Sequence, residues 1–184
     1  NRQELPELMN LLNRVFDEHE IRTDEDIIRY YERGRMKAYG YRVKGKLTAG
    51  ALGYETDDFF LVENLAADPA VRGRGYGGMI MEGLKEEFPS LILEVEVPED
   101  AVAKRRVHFY EKHGLELSDQ PYVMPPLQEG NLPTPYCLMA YNYDVEPSTV
   151  QDICTGVYRR DTTLEELLEL LDQIEQMVAA FDAD

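Results

Sequence analysis

The stretch from Phe59 to Phe88, FFLVENLAADPAVRGRGYGGMIMEGLKEEF, sets the tightest limit on what this chain can fold into. Phe59 to Leu65 are aromatic and β-branched enough for a strand. Asp68-Pro69 ends it, because proline fixes its own φ and restricts the residue before it. Arg72-Gly73-Arg74-Gly75-Tyr76-Gly77-Gly78 follows, and a helix is expected from about Tyr76. Glycine permits positive φ and leaves no Cβ between the main chain and a ligand. The opening amides of a helix lack intrahelical partners and sit at the positive end of its dipole. Such a loop cradles anions, phosphate above all. Arg72 and Arg74 add guanidinium groups that match phosphate geometry.

The remaining charge is strongly acidic. With 19 basic and 36 acidic residues the net charge is −17, which argues against nucleic acid as a partner. Against that background Arg72, Arg74 and the run Lys104-Arg105-Arg106 mark where a polyanion is expected. An acidic surface suits a cationic acceptor such as an amine, and equally serves solubility. No apolar run approaches a membrane span and no signal-peptide core is visible. Cys137 and Cys154 show no metal or redox spacing and suggest a reduced, cytoplasmic setting. His19, His108 and His113 are scattered, so no metal site is expected.

The 184 residues suit one domain with a helical appendage. Leu5, Leu8, Leu11, Leu12, Val15 and Phe16 predict a first helix over Glu4 to Glu18. Thr23, with Asp26 three residues on, predicts the cap of a second helix ending before Gly34. Met36–Val43 and Leu47–Tyr54 read as a hairpin joined at Lys44-Gly45-Lys46. After the glycine loop and its helix, Ser90–Val97 reads as a strand parallel to the Phe59 strand. Ala101–His113 reads as a helix closed by Gly114. The proline-rich residues 119–136 are expected to be an ordered loop without a buried strand, and Tyr136–Tyr143 a final strand.

Two glycine patterns overlap in the loop. Gly73, Gly75 and Gly78 form a literal G-x-G-x-x-G with Glu94 and Glu96 downstream, as a dinucleotide fold requires. However, Asp68 to Arg72 stand between the strand and its first glycine. A Walker loop is excluded because no Gly-Lys-Ser/Thr ends the run. Arg72, Gly75 and Gly77 instead satisfy [Q/R]-x-x-G-x-[G/A]. Arg105 to Leu115, RRVHFYEKHGL, favours that pattern, since a dinucleotide fold has no use for its Phe-Tyr-x-x-x-Gly. With the strand Leu93-Glu94-Val95-Glu96, these segments resemble the GNAT superfamily of acetyl-coenzyme A-dependent N-acetyltransferases. The family's helix ends F/L-Y-x-x-x-G-F, here with Leu115 for the last Phe, and its strand often reads L-E-V-R. The element order agrees, so the resemblance covers about residues 1–143. One departure is Pro98-Glu99-Asp100-Ala101, which stands where many members have an Asn.

The resemblance implies an α/β (α+β) fold: a mixed, mostly antiparallel sheet with one splayed parallel pair, flanked by helices, and a helical extension over 144–184. It implies acetyl-coenzyme A as co-substrate and a small-molecule or peptide amine as acceptor. Backbone groups of Leu65, Ala66 and Ala67 would meet the pantetheine arm. Arg72, Gly73, Arg74, Gly75, Tyr76, Gly77 and Gly78 would hold the pyrophosphate, and Arg105, Arg106, Phe109 and Tyr110 would border it from the later helix. Tyr110 stands where the family often has a tyrosine acid, able to protonate a departing thiolate. Glu94 and Glu63 are the candidate bases, Glu63 being placed on the side of Leu65 and Ala67; a solvated face or a salt bridge is the alternative for each. A non-catalytic acyl-coenzyme A sensor is the other function the same fold permits. In the tail, Leu164, Leu167, Leu168, Leu171, Ile174, Val178 and Phe181 form an apolar stripe. It needs cover, either from the chain's own domain, which is preferred, or from a second copy in a homodimer.

Overall fold

The computed structural model describes residues 4–128 and 130–154, with 168, 169, 171–173, 175 and 176 beyond them. Helix α1 (Leu5–Leu12) buries Leu5, Leu8, Met9, Leu11 and Leu12 and stops short of the Glu18 its apolar spacing predicts. Asp17 N–H instead donates to Glu20 Oε2 at 3.0 Å and opens a separate 3-10 turn, Glu18–Glu20. An acidic side chain bonding nearby backbone competes in this way with helix propagation. Val15 and Phe16 leave the helix yet still pack, half-buried, against the core. Helix α2 (Asp24–Glu32) begins as expected, with Thr23 Oγ1 accepting the Asp26 N–H at 3.2 Å.

Strands β1 (Lys37–Val43) and β2 (Lys46–Glu55) form the expected hairpin. Lys44 and Gly45 lie at φ +50° and +82°, the primed two-residue turn whose twist suits a hairpin. Strand β3 (Phe60–Ala67) pairs antiparallel with β2. A 3-10 turn, Pro69–Val71, leads to the glycine loop and helix α3 (Tyr76–Glu87), and then strand β4 (Leu91–Glu96) runs parallel to β3. Helix α4 (Ala101–Lys112) is capped by Asp100, whose carboxylate accepts from the Val102 and Ala103 amides at 2.6 and 2.8 Å.

The proline-rich segment corrects its expectation. Strands β5 (Glu116–Leu117) and β6 (Tyr122–Met124) both pair with β7 (Thr134–Tyr141), and all three residues of β6 are buried. Pro121 and Pro125 flank β6, where a missing N–H removes no bond from its short ladder. Helix α5 (Pro147–Asp152) follows. The sheet runs β1-β2-β3-β4-β7-β5, with β6 beside the other end of β7, and among the described residues only β3 and β4 are parallel.

The sheet separates two cores. One face carries α1, α2, β6 and the end of α5, with Leu12, Ile27, Leu52, Leu61, Ile92 and Ile153 fully buried. The other carries α3 and α4, where Ile80, Met81, Leu84, Val107 and Tyr110 pack on Phe60, Val62, Leu91 and Leu93. Each such aliphatic side chain contributes about 1.5–3 kcal/mol by leaving water. Of the tail stripe, Leu171 packs half-buried against the first core and Leu168 is exposed. Leu164, Leu167, Ile174, Val178 and Phe181 lie outside the described residues.

Glycine on β2 lets the neighbouring strand β3 approach closely at its bulge. A Cβ on Gly53 would lie 2.3 Å from the Leu61 carbonyl oxygen and 2.5 Å from the Phe60 ring, whereas one on Gly83 in α3 meets nothing within 4 Å. Gly53→Ala is therefore expected to destabilise by about 1–3 kcal/mol, the usual cost of overpacking. Gly83→Ala should stabilise by about 0.5–1 kcal/mol through helix propensity and unfolded-state entropy. Urea midpoints of the two variants check both signs.

Candidate active site

The site begins where β3 and β4 part. Their parallel register runs Phe60–Leu91, Leu61–Ile92, Val62–Leu93 and goes no further. At the same level β3 carries a bulge: Val62 faces Gly53 and Asn64 faces Leu52, leaving Glu63 as the extra residue. A bulge shifts the inward-outward alternation by one. Phe60 and Val62 precede it, and Leu65 and Ala67 follow it, all on the α3–α4 face. Glu63 consequently does not share a side with Leu65 and Ala67, as strict alternation predicts. It turns to the opposite face and meets Arg22.

That pairing is buried and two-pronged. Arg22 Nε lies 3.1 Å from both Glu63 oxygens and Nη2 lies 3.0 Å from Oε2, with side-chain exposures of 5% and 1%. The Arg22 guanidinium also sits 5.1 and 5.7 Å from the ring centres of Tyr30 and Tyr54. Of the alternatives open for Glu63, the salt bridge is the one present.

Backbone direction follows from the hydrogen bonds. Phe60 N–H donates to Ser90 O across the β4 side, and Asp68 N–H donates to Thr48 O across the β2 side. Since successive strand residues point their amides to opposite neighbours, Leu65 and Ala67 offer theirs to the gap left by β4. A cavity of about 710 Å³ fills that gap and continues along the glycine loop. Gly73 and Gly75 adopt φ +78° and +82°, and Gly75 is the residue from which α3 starts. The cavity wall includes Leu65, Ala66, Ala67, Arg72, Gly73, Gly75, Tyr76, Gly77 and Gly78, then Arg105, Arg106, Phe109 and Tyr110 of α4, and Glu63 and Glu94. Arg74 does not line it. Arg106 is itself held by Glu96, Nη1 to Oε2 at 2.6 Å.

Tyr110 belongs both to the α3–α4 core and to the cavity wall. Burial pushes its phenol up to about 12, with nearby Arg106 pulling the other way. Glu94 accepts a hydrogen bond from the Tyr122 hydroxyl. The far end of the cavity is bounded by Val15, Phe16, Glu20, Asn64, Met124, Leu127 and Tyr136, none of which the sequence motifs single out. Glu20 and Tyr136 are joined, Tyr136 Oη donating to Glu20 Oε1 at 3.4 Å. Tyr136 leaves one trace in the sequence, an aromatic residue among prolines, and Glu20 leaves none. Among the described residues no group of His, Cys, Asp and Glu suits a metal ion, and no helix is long and apolar enough to cross a membrane.

Comparison with known proteins places this arrangement. The model of the acetyltransferase (GNAT) family matches residues 5–115. The chain belongs to the GNAT acetyltransferase family. No curated protein matches it. Among solved structures, the chain is similar to an acetyltransferase from the GNAT family of Bacteroides thetaiotaomicron, at 30% identity and TM-score 0.74, with 85% of this chain and 89% of that one covered. At 20% identity it shares its fold with the ribosomal-protein-S18-alanine N-acetyltransferase of Escherichia coli, over 79% and 92% of the chains with TM-score 0.59. At 12% identity it shares its fold with a Bacillus subtilis acetyltransferase solved in complex with CoA, over 76% and 93% with TM-score 0.55. Acyl-coenzyme A-dependent acetyl transfer is the general activity of this GNAT chain.

The GNAT loop is anchored by Asp68, which is almost fully buried. Its Oδ1 accepts the Ala70 N–H at 3.0 Å, Lys46 Nζ lies 2.9 Å from Oδ2, and Arg14 Nη1 lies 3.7 Å from Oδ1. The Lys46 contact and the Ala70 amide hold its carboxyl below the usual carboxylate range. A depressed folded-state pKa gives stability that is present above the unfolded value, about 3.9, and lost as pH falls through the folded one. Asp68→Asn should therefore melt lower than the parent at pH 7, and the gap should close only below about pH 4. Melting curves from pH 7 to pH 2.5 check this.

Proposed function

We propose that this GNAT chain is an N-acetyltransferase that moves acetyl from acetyl-coenzyme A to a primary amine by direct attack on the thioester. The observation that carries the reading is one continuous cavity that joins the arginine- and glycine-lined loop, the unpaired edge of β3, and Tyr110. The loop amides and the α3 N-terminus, with Arg72, would hold the pyrophosphate. The pantetheine arm would lie along β3 as an added strand, against Leu65 and Ala67. A β3 amide facing the gap would polarise the thioester carbonyl and hold the oxyanion of the tetrahedral intermediate.

In the chemical step the amine nitrogen bonds to the carbonyl carbon and the carbon–sulfur bond breaks. The leaving thiolate takes a proton from the Tyr110 hydroxyl, which burial keeps protonated across the neutral range. The acceptor ammonium sheds two protons through Glu94, directly or through water: one passes to solvent before the attack, and the second, lost from the attacking nitrogen, returns to the phenolate. Glu94 suits that role because it lies beyond the point where β4 leaves β3, facing the cavity. Glu63, gripped by Arg22, fits a fixed counter-charge and not a proton acceptor.

Gly75→Val places a side chain at the loop's positive-φ corner, where the pyrophosphate would sit. Titration calorimetry should show coenzyme A affinity lowered at least about tenfold, the worth of one or two lost charge-assisted contacts. Unchanged affinity in a folded variant would remove the loop from the site.

Tyr110→Phe should lower kcat by about 10²–10⁴-fold with coenzyme A binding nearly intact, the range for a lost general acid. A kcat equal to the parent's, with chemistry rate-limiting, would return Tyr110 to packing alone.

A further inference from the structure

The end of the cavity beside Tyr136 has a chemistry of its own, and it bears on the acceptor if the acetyl-transfer reading above holds. Three kinds of group meet there. Glu20 and Glu94 are carboxylates on the wall, one from the turn after α1 and one from β4. Asn64, 2% exposed, donates its Nδ2 to the Glu20 backbone oxygen at 3.1 Å and so holds the turn that carries the Glu20 carboxylate. Apart from the Tyr136 hydroxyl, which is bonded to Glu20, the rest of the wall is apolar: Val15, Phe16, Met124 and Leu127.

The two carboxylates flank one side chain. Tyr136 Oη donates to Glu20 Oε1 at 3.4 Å, and Tyr136 pairs with Glu96 as Leu138 does with Glu94, so Glu94 is its diagonal neighbour across β4 and β7. Arg106 is there already paired with Glu96, and a further cation beside Tyr136 is attracted by Glu20 and Glu94. A single ammonium, with N–H groups for the two carboxylates, satisfies this end. The apolar wall offers nothing to further charges or to a coat of hydroxyls, which would lose their water unpaired.

We propose that the acceptor is a small primary amine with one cationic nitrogen and an apolar body, its nitrogen seated between Glu20 and Glu94 and its body against Phe16, Met124 and Leu127.

Thiol release from acetyl-coenzyme A, measured on the full chain, tests this with five acceptors: 2-phenylethylamine, methylamine, spermidine, an aminoglycoside and an alanine-initiated tetrapeptide. 2-Phenylethylamine is expected to exceed the other four in kcat/KM by at least about tenfold, reflecting apolar burial without extra desolvated polar groups. Glu20→Gln, which can still accept the Asp17 N–H, should raise its KM about tenfold and move kcat less, as loss of a charge-assisted contact in both ground and transition states does. Phe16→Ala should narrow the ratio of 2-phenylethylamine to methylamine. Preference for spermidine, the aminoglycoside or the peptide, with thiol release intact, would overturn this inference and leave acetyl transfer standing. Coenzyme A binding without thiol release for any amine would overturn both.

Discussion

Everything at the cleft depends on the hydrogen bonds that β3 and β4 do not make. Three register pairs hold them parallel, and past Val62 and Leu93 the ladder ends. Unpaired backbone groups need a partner, so the β3 edge beyond Val62 is the cost of the opening and leaves room for an added strand. The bulge at Glu63 occurs at the same level and keeps Leu65 and Ala67 on the α3–α4 face. The bidentate Arg22–Glu63 pair then ties the bulge to the segment leading into α2. Removing one partner would leave a buried charge uncompensated, which explains why such a pair is retained even where its net stabilisation is small.

The parts of this design set by local chemistry were legible in the sequence. Thr23, Gly45, Gly75 and Gly114 each announce a cap or turn through their own conformational preferences, and the structure uses each so. The parallel pair and the glycine loop followed from a strand, a Pro break and a helix start that allow few other arrangements. What was not legible depends on contacts distant in the chain. Glu63 faces Arg22, 41 residues away, because a bulge reset the alternation, and no periodicity in Phe60–Ala67 signals that. Buried β6 was hidden because three residues between prolines carry no period, and its pairing with β7 supplies what the local sequence lacks. The early end of α1 was missed because Val15 and Phe16 keep the helical spacing while the Asp17–Glu20 contact breaks the helix.

Charge of both signs meets in the cleft. A chain of net charge −17 still lines its cavity with Arg72, Arg105 and Arg106, and sets Glu20 and Glu94 on the same wall, with Arg106 paired to Glu96 beside Tyr136. Such a cavity draws charged ligands more strongly than open solvent does because much of its wall is apolar. Low ionic strength enhances such steering, and salt screens it over about 10 Å at 0.1 M.

Tyr110 shows how the core and the cleft share material. Its ring is packed with Val107, Leu93 and the aromatic neighbours of α4, and Phe109 lies edge-on to it with ring centres 5.1 Å apart. A side chain so enclosed has already given up its rotameric freedom during folding. Whatever its hydroxyl does in the cleft, it does without searching for a position, so the entropy of alignment was settled when the chain folded and not at each turnover.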